Sequence, residues 1–158
     1  MQNIQTDAPV KCKKSILINE KPEKVWAVLT NINQWPEWHN EIKQAIVLEE
    51  LASGTQFVWK SGGVKIRSEL HTVEPYHFFG WTGKAIGMYA IHNWHISEKD
   101  GKTLVVSEES MSGWLPKLFK SAFNQNLQNG MQKWLELLKE SCEGAKTKSH
   151  IRQESEVF

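Results

Sequence analysis

Residues Trp114–Cys142 read WLPKLFKSAFNQNLQNGMQKWLELLKESC, the longest stretch of this chain that keeps one period. Leu115, Leu118, Phe119, Ala122, Phe123, Leu127, Met131, Trp134, Leu135, Leu138 and Cys142 fall on a single stripe at helical spacing, which predicts one amphipathic helix. At 1.5 Å per residue it would reach roughly 43 Å, enough to cross a whole sheet. Pro116 sits in the first turn, where its missing N–H is no loss, and Gly144 offers a stop. Gly130 lies on the apolar side, where glycine costs a helix about 1 kcal/mol relative to alanine. Close packing against a sheet tryptophan, or room for a ligand, would account for it.

A helix with one long apolar stripe needs a broad apolar partner, and the segment before it supplies one. Turn signals at Ala52-Ser53-Gly54, Ser61-Gly62-Gly63, Glu74-Pro75-Tyr76, Ile86-Gly87 and Glu98-Lys99-Asp100-Gly101 separate short alternating runs. Six antiparallel strands are predicted, over Ile42–Glu50, Thr55–Lys60, Val64–Val73, His77–Ala85, Met88–Ser97 and Lys102–Met111. Paired residues share a face, so register assigns an interior. Closing the last hairpin at Ser97 and Lys102 sets Ile96 opposite Thr103, Trp94 opposite Val105, His92 opposite Ser107 and Ala90 opposite Glu109. The Pro75 turn sets Phe79 and Trp81 beside Thr72 and Leu70, and the Gly62-Gly63 turn sets Phe57 and Trp59 beside Ser68 and Ile66. Ile46 and Leu48 are expected on the same face, with Lys65, Arg67, Glu69 and His71 on the solvated one.

Further out, Val10–Ile18 alternates and predicts a half-buried strand. Asn19-Glu20-Lys21-Pro22-Glu23 supplies a cap candidate, a first-turn proline and acidic residues for a short helix through Val25, Trp26, Val28 and Leu29. Trp35-Pro36-Glu37-Trp38 permits one further turn, and its two indoles are expected to plug one end of the fold. Residues 1–9 read as a lead-in, 10–142 as one α+β domain with about seven strands, and 143–158 as a polar tail expected to be mobile.

Composition narrows the function. Lys plus Arg total 19 against 18 Asp plus Glu, so no positive field collects nucleic acid. No window carries 18 uninterrupted apolar residues, which argues against stable membrane insertion, and the polar start Met1–Asp7 shows no signal-peptide pattern, so a cytoplasmic location is expected. Cys12 and Cys142 stand far apart without metal spacing and read as reduced thiols. Eight Trp and six Phe in 158 residues exceed what a core of this size needs, which points to an aromatic-walled cavity.

The stretch Pro22-Glu23-Lys24-Val25-Trp26-Ala27-Val28-Leu29-Thr30-Asn31, followed by Trp35-Pro36-Glu37-Trp38, closely resembles the opening of the SRPBCC superfamily. Phe79-Gly80-Trp81-Thr82-Gly83, Glu109-Ser110-Met111-Ser112-Gly113 and the Gly130 to Lys139 run look like the middle and end of its polyketide cyclase/dehydrase and lipid-transport group. The resemblance covers about residues 10 to 140. It implies the helix-grip fold of START domains and birch-pollen-allergen-like proteins, in β-α-α-β6-α order, with the sheet wrapped round the long helix and a cavity between them. The residues that register turns inward would then line it: Phe57, Trp59, Ile66, Leu70, Phe79, Trp81, His92, Trp94, Glu109 and Met111, with Phe123, Leu127 and Met131 from the helix.

That set is mostly apolar with two ionisable groups, as in a pocket for a small hydrophobic or aromatic ligand held by a monomer or homodimer without a cofactor. On the predicted register His92 and Glu109 are diagonal neighbours, about 7 to 8 Å apart at the backbone. They are candidates for acid/base catalysis of polyketide-cyclase type, or for an anchor or a satisfied core contact. Ser107 beside His92 lacks a nucleophile elbow and a glycine-rich oxyanion loop. His71, His77, His92 and His95 do not converge, so no metal is expected. Gly113–Phe119 reads as a helix staple, with a cavity gate or a membrane contact as alternatives. A protein-interaction module, like the helix-grip cochaperones of the ninety-kilodalton heat-shock chaperone, is a third reading.

Overall fold

The computed structural model describes residues 1–155, with side chains described through Gly144. Seven antiparallel strands form one sheet in the order β1-β7-β6-β5-β4-β3-β2. They are β1 (Val10–Ile18), β2 (Ile42–Val47), β3 (Gln56–Ser61), β4 (Val64–Glu74), β5 (Phe78–Ala85), β6 (Met88–Lys99) and β7 (Lys102–Ser112). Helix α1 (Pro22–Thr30), a 3-10 turn at Ile32–Gln34 and helix α2 (Trp35–Trp38) bridge β1 to β2, and α3 (Trp114–Leu118) and α4 (Lys120–Ser155) follow β7. This is the expected α+β helix-grip. The lead-in lies over the outer face, where Asn93 Nδ2 donates to the Gln2 carbonyl at 2.8 Å and the Gln5 N–H to Ser110 Oγ at 3.0 Å. Among the described residues no helix is long and apolar enough to cross a membrane.

Three details of register correct the reading from sequence. The last hairpin closes at Lys99 and Lys102, because Asp100 (φ 52°) and Gly101 (φ 73°) both take the left-handed conformation of a two-residue turn. Every partner therefore moves by two: Ile96 faces Val105, Trp94 faces Ser107, Ala90 faces Met111, and His92 stands directly opposite Glu109. A shift of two keeps each side chain on its face. A bulge between Leu70 and Thr72 sets Phe79 beside Val73 rather than Thr72, while Trp81 keeps Leu70. A second irregularity between Ile42 and Gln44 turns β2 by one residue, so Ala45 is buried while Ile46 and Leu48 face solvent, Leu48 at 91% exposure. Phe57 opposite Ser68 and Trp59 opposite Ile66 stand as expected.

The long helix also differs from its expected form. Phe119 (φ −113°, ψ 41°) breaks it after α3, and Gly144 does not end it, since the backbone stays helical to Ser155. The rest of the tail, 156–158, lies outside the described residues. Phe123, Leu127, Met131, Trp134, Leu135, Leu138 and Cys142 hold the stripe inward, but Leu118, Phe119 and Ala122 are exposed. Helix α4 runs close along β1 and α1 and stands off from β3 to β6, so side chains must span that gap.

Trp35 fills the part of it nearest α1. Its ring lies 5.1 to 5.7 Å from those of Trp134, Trp81, Trp59 and Phe57, mostly edge to face, the geometry aromatic quadrupoles favour. Its Nε1–H donates to the Leu29 carbonyl at 2.9 Å, which ties the plug to α1 and satisfies its one polar atom. Trp35→Ala should cost about 3 to 5 kcal/mol of stability, measured by urea unfolding; a loss under about 1 kcal/mol would show that the plug carries no weight.

Candidate functional site

Beyond the plug the gap stays open. The small residues Gly83 and Ala90, paired across β5 and β6, and Gly130 on α4 face one another over a cavity of about 310 Å³. That is near the lower end of the roughly 300 to 1,000 Å³ of small-molecule sites. A Cβ on Gly130 would meet nothing within 4 Å, so this glycine leaves space rather than admitting a close neighbour. Gly62, Val64 and Asn126 line the cavity and are also exposed, which places its mouth between the β3–β4 turn and α4.

Of the inward residues expected from sequence, Trp59, Ile66, Trp81, His92, Glu109 and Met111 line the cavity from the sheet, and Phe123, Leu127 and Met131 from the helix. Phe57, Leu70, Phe79 and Trp94 do not. They are buried in the solid aromatic core, Phe57 against Trp35 and Phe79 against Trp26. Trp134, Met88 and the Glu41 carboxylate, ion-paired with Lys133 at 2.7 Å, also contribute to the wall. Trp134 was visible on the helical stripe, but nothing in spacing says which stripe residues meet a void.

Two ionisable groups lie inside. His92 is held between indoles, 4.6 Å from the Trp81 ring and stacked 5.0 Å from Trp94. Its Nδ1 lies 3.2 Å from Glu109 Oε2 and its Nε2 2.8 Å from Ser107 Oγ. The pair is closer than the diagonal geometry expected. Burial pushes the Glu109 carboxyl up to about 8 and the His92 imidazole down to about 3, since neither charge finds water there. Both groups are therefore neutral near pH 7: the Glu109 O–H donates to Nδ1, and the Nε2–H donates to Ser107 Oγ. Moving the shared proton from Oε2 to Nδ1 makes a carboxylate and an imidazolium with no change in net charge, so the site can give or take a proton.

The order Ser107, His92, Glu109 has the connectivity of a hydrolase triad, but Ser107 is 0% exposed and does not line the cavity. No substrate in the cavity can reach its oxygen, and its role is to hold His92 in one orientation. His71 bonds Thr72 on the outer face and His95 stacks on Phe78, away from the cavity. Cys12 and Cys142 are buried free thiols, and burial raises Cys142 to about 12, which leaves it unreactive.

A protein-family model described as polyketide cyclase / dehydrase and lipid transport matches residues 9–143. Among solved structures, the chain resembles a hypothetical protein from Helicobacter pylori at TM-score 0.79 and 18% identity, over 90% of this chain and 98% of that one. It resembles the Zhui aromatase/cyclase from Streptomyces at TM-score 0.75 and 12% identity, over 84% and 93%. A START superfamily protein from Mycobacterium smegmatis gives 0.73 and 12%, over 85% and 98%. At these identities the structures testify to fold alone. No curated protein sequence matches the chain significantly. With the family model spanning nearly all of the described domain, and with the helix-grip fold in place, the chain belongs to the polyketide cyclase / dehydrase and lipid transport family.

Proposed function

We propose that this protein binds one small apolar or aromatic molecule between its sheet and α4, with the Glu109 carboxyl as the polar anchor. The observation that carries the reading is the cavity itself: mainly apolar walls and, within, an uncharged carboxyl whose O–H is given to His92 and whose other oxygen can accept. Such walls supply affinity, and a single directed hydrogen bond fixes orientation. With its O–H given to His92, the carboxyl presents an acceptor and selects a ligand that donates, such as an alcohol or phenol. A ligand carboxylate would instead face an acceptor and bury an unpaired charge.

Gly130 gives the direct test. Gly130→Phe places a ring in the cavity, whereas Gly130→Ala adds one methyl in open space and should stabilise the helix by up to about 1 kcal/mol. The neutral dye N-phenyl-1-naphthylamine should brighten with wild type and Gly130→Ala and stay dark with a folded Gly130→Phe. A dye response unchanged by Gly130→Phe, or absent from wild type, would remove the cavity as the site.

The pH dependence follows from the two shifts. Glu109 holds its proton in the folded state to about 8 against 4.5 in the reference state, so stability falls as pH rises through that window. His92 stays neutral when folded, while the unfolded imidazole binds a proton below 6.5, so its contribution falls as pH drops. Between about 6.5 and 8 the Glu109 slope dominates, because the unfolded thiols lose protons only at higher pH. Urea midpoints of wild type should decline from pH 6.5 to 8, and those of Glu109→Gln should decline less. Parallel curves would mean that Glu109 is already ionised in the folded protein.

A second reading, acid/base catalysis, is favoured by the shared proton at the cavity wall. On it Glu109→Gln lowers turnover of a cyclising polyketide substrate by about a hundredfold or more while dye binding persists. Unchanged turnover would dismiss that role.

A further inference from the structure

We propose that Ile86, Trp114, Leu118 and Phe119, beside the cavity, form a docking surface for an anionic lipid bilayer. Their exposures are 88%, 61%, 68% and 52%, unusual for side chains of this size. They come from two elements that touch. The Leu115 N–H donates to the Gly87 carbonyl at 3.2 Å, and a Cβ at Gly87 would fall 2.7 Å from the Trp114 indole, so the Ile86-Gly87 turn and the entrance of α3 are one surface.

A helix staple explains only part of this segment. Leu115 and Pro116 pack inward, but Leu118 and Phe119 stay exposed: the break at Phe119 turns them out of the stripe that continues at Phe123. The Phe123 N–H donates to the Phe119 carbonyl at 3.0 Å, and Phe123 and Met88 both line the cavity. The exposed patch is thus one helical turn from the ligand space.

Charge selects the occupant. Lys84, Lys117 and Lys120 belong to the same two segments and are exposed. The sequence carries no Asp or Glu between Glu74 and Glu98, nor between Glu109 and Glu136, although acidic and basic residues nearly balance over the whole chain. The two segments that build the patch are therefore basic, and they carry apolar tips that protrude. Side chains standing this far out at a two-residue turn and a helix break suit a fluid interface that closes around them, with lysines reaching anionic headgroups. A protein groove would require a fixed complementary shape.

The test is flotation of the full chain with vesicles of phosphatidylcholine alone and of equimolar phosphatidylcholine and phosphatidylglycerol. Wild type should float with the mixed vesicles and little with phosphatidylcholine, and added salt should weaken binding. The double variant Leu118→Glu, Phe119→Glu should lose about tenfold or more in partitioning, with its thermal melt unchanged because both side chains are exposed. Lys117→Gln with Lys120→Gln should weaken binding several-fold and flatten its salt dependence. Wild type that fails to float with mixed vesicles, or a double variant that floats equally well, overturns the proposal. So does a wild-type dimer in sedimentation that the double variant converts to monomer without any flotation, which would assign the surface to a second copy. Flotation is read without a cavity ligand, so its failure leaves the binding reading standing, and a failed dye test leaves the docking surface standing.

Discussion

The interior depends on how one indole divides the space between a curved sheet and a helix that cannot follow its curvature. Helix α4 touches β1 and α1 and departs from the middle strands, which opens a wedge no single layer of side chains fills. Trp35, carried on its own short helix and hydrogen-bonded to Leu29, occupies the part of the wedge nearest α1. Around it Trp59, Trp134 and Phe57 meet it edge to face and Trp81 at a tilt, so aromatic residues there act as rigid spacers as much as apolar area. What remains beyond them is bordered by Gly83, Ala90 and Gly130, and stays empty because no side chain at those positions can reach across.

The polar pair in that space follows from the same burial. An ionised carboxylate among indoles would lose its hydration with little to replace it, so the carboxyl keeps its proton and the imidazole goes without one. Hydrogen bonds then satisfy both ring nitrogens, one to Glu109 and one to Ser107, and stacking between Trp81 and Trp94 holds the ring. The pair adds no net charge to the wall yet offers one directional acceptor. That combination suits recognition of an uncharged ligand, and it leaves proton transfer available where a substrate needs it.

The elements of this fold were legible because they are one-dimensional signals. Alternation marked each strand, glycine and proline marked the turns, and the PEKVWAVLTN segment carried a superfamily pattern that the family model bears out. Faces were legible wherever pairing was regular, as at Phe57, Trp59 and Trp81. Ile46 and Leu48 went to the wrong face because a bulge inserts one residue, and alternation alone does not announce it. The partner of His92 was missed by two residues because Asp100 adopts a positive φ that Asp tolerates but does not demand. Whether an inward side chain meets a neighbour or a void was not legible at all. Phe79 is covered by Trp26 and Trp94 packs on Trp134, while Trp59 and Trp81 keep an edge on the void, a difference set by tertiary packing that spacing does not carry.

The break at Phe119 joins the inside of the protein to its surface. Were the helix unbroken, Leu118 and Phe119 would continue the buried stripe, and the apolar path would end behind Phe123. The break instead sets Phe119 outside and Phe123 within, one turn apart and joined by a backbone hydrogen bond. An apolar molecule moving between them exchanges one greasy surface for another with little exposure to water, which is where the hydrophobic penalty of such a transfer lies. The Glu109 carboxyl, neutral until about pH 8, sets no charge in its way. The same burial that makes the cavity attractive to an apolar guest thus keeps its one anchor uncharged, and the Glu41 carboxylate at the wall is answered by Lys133.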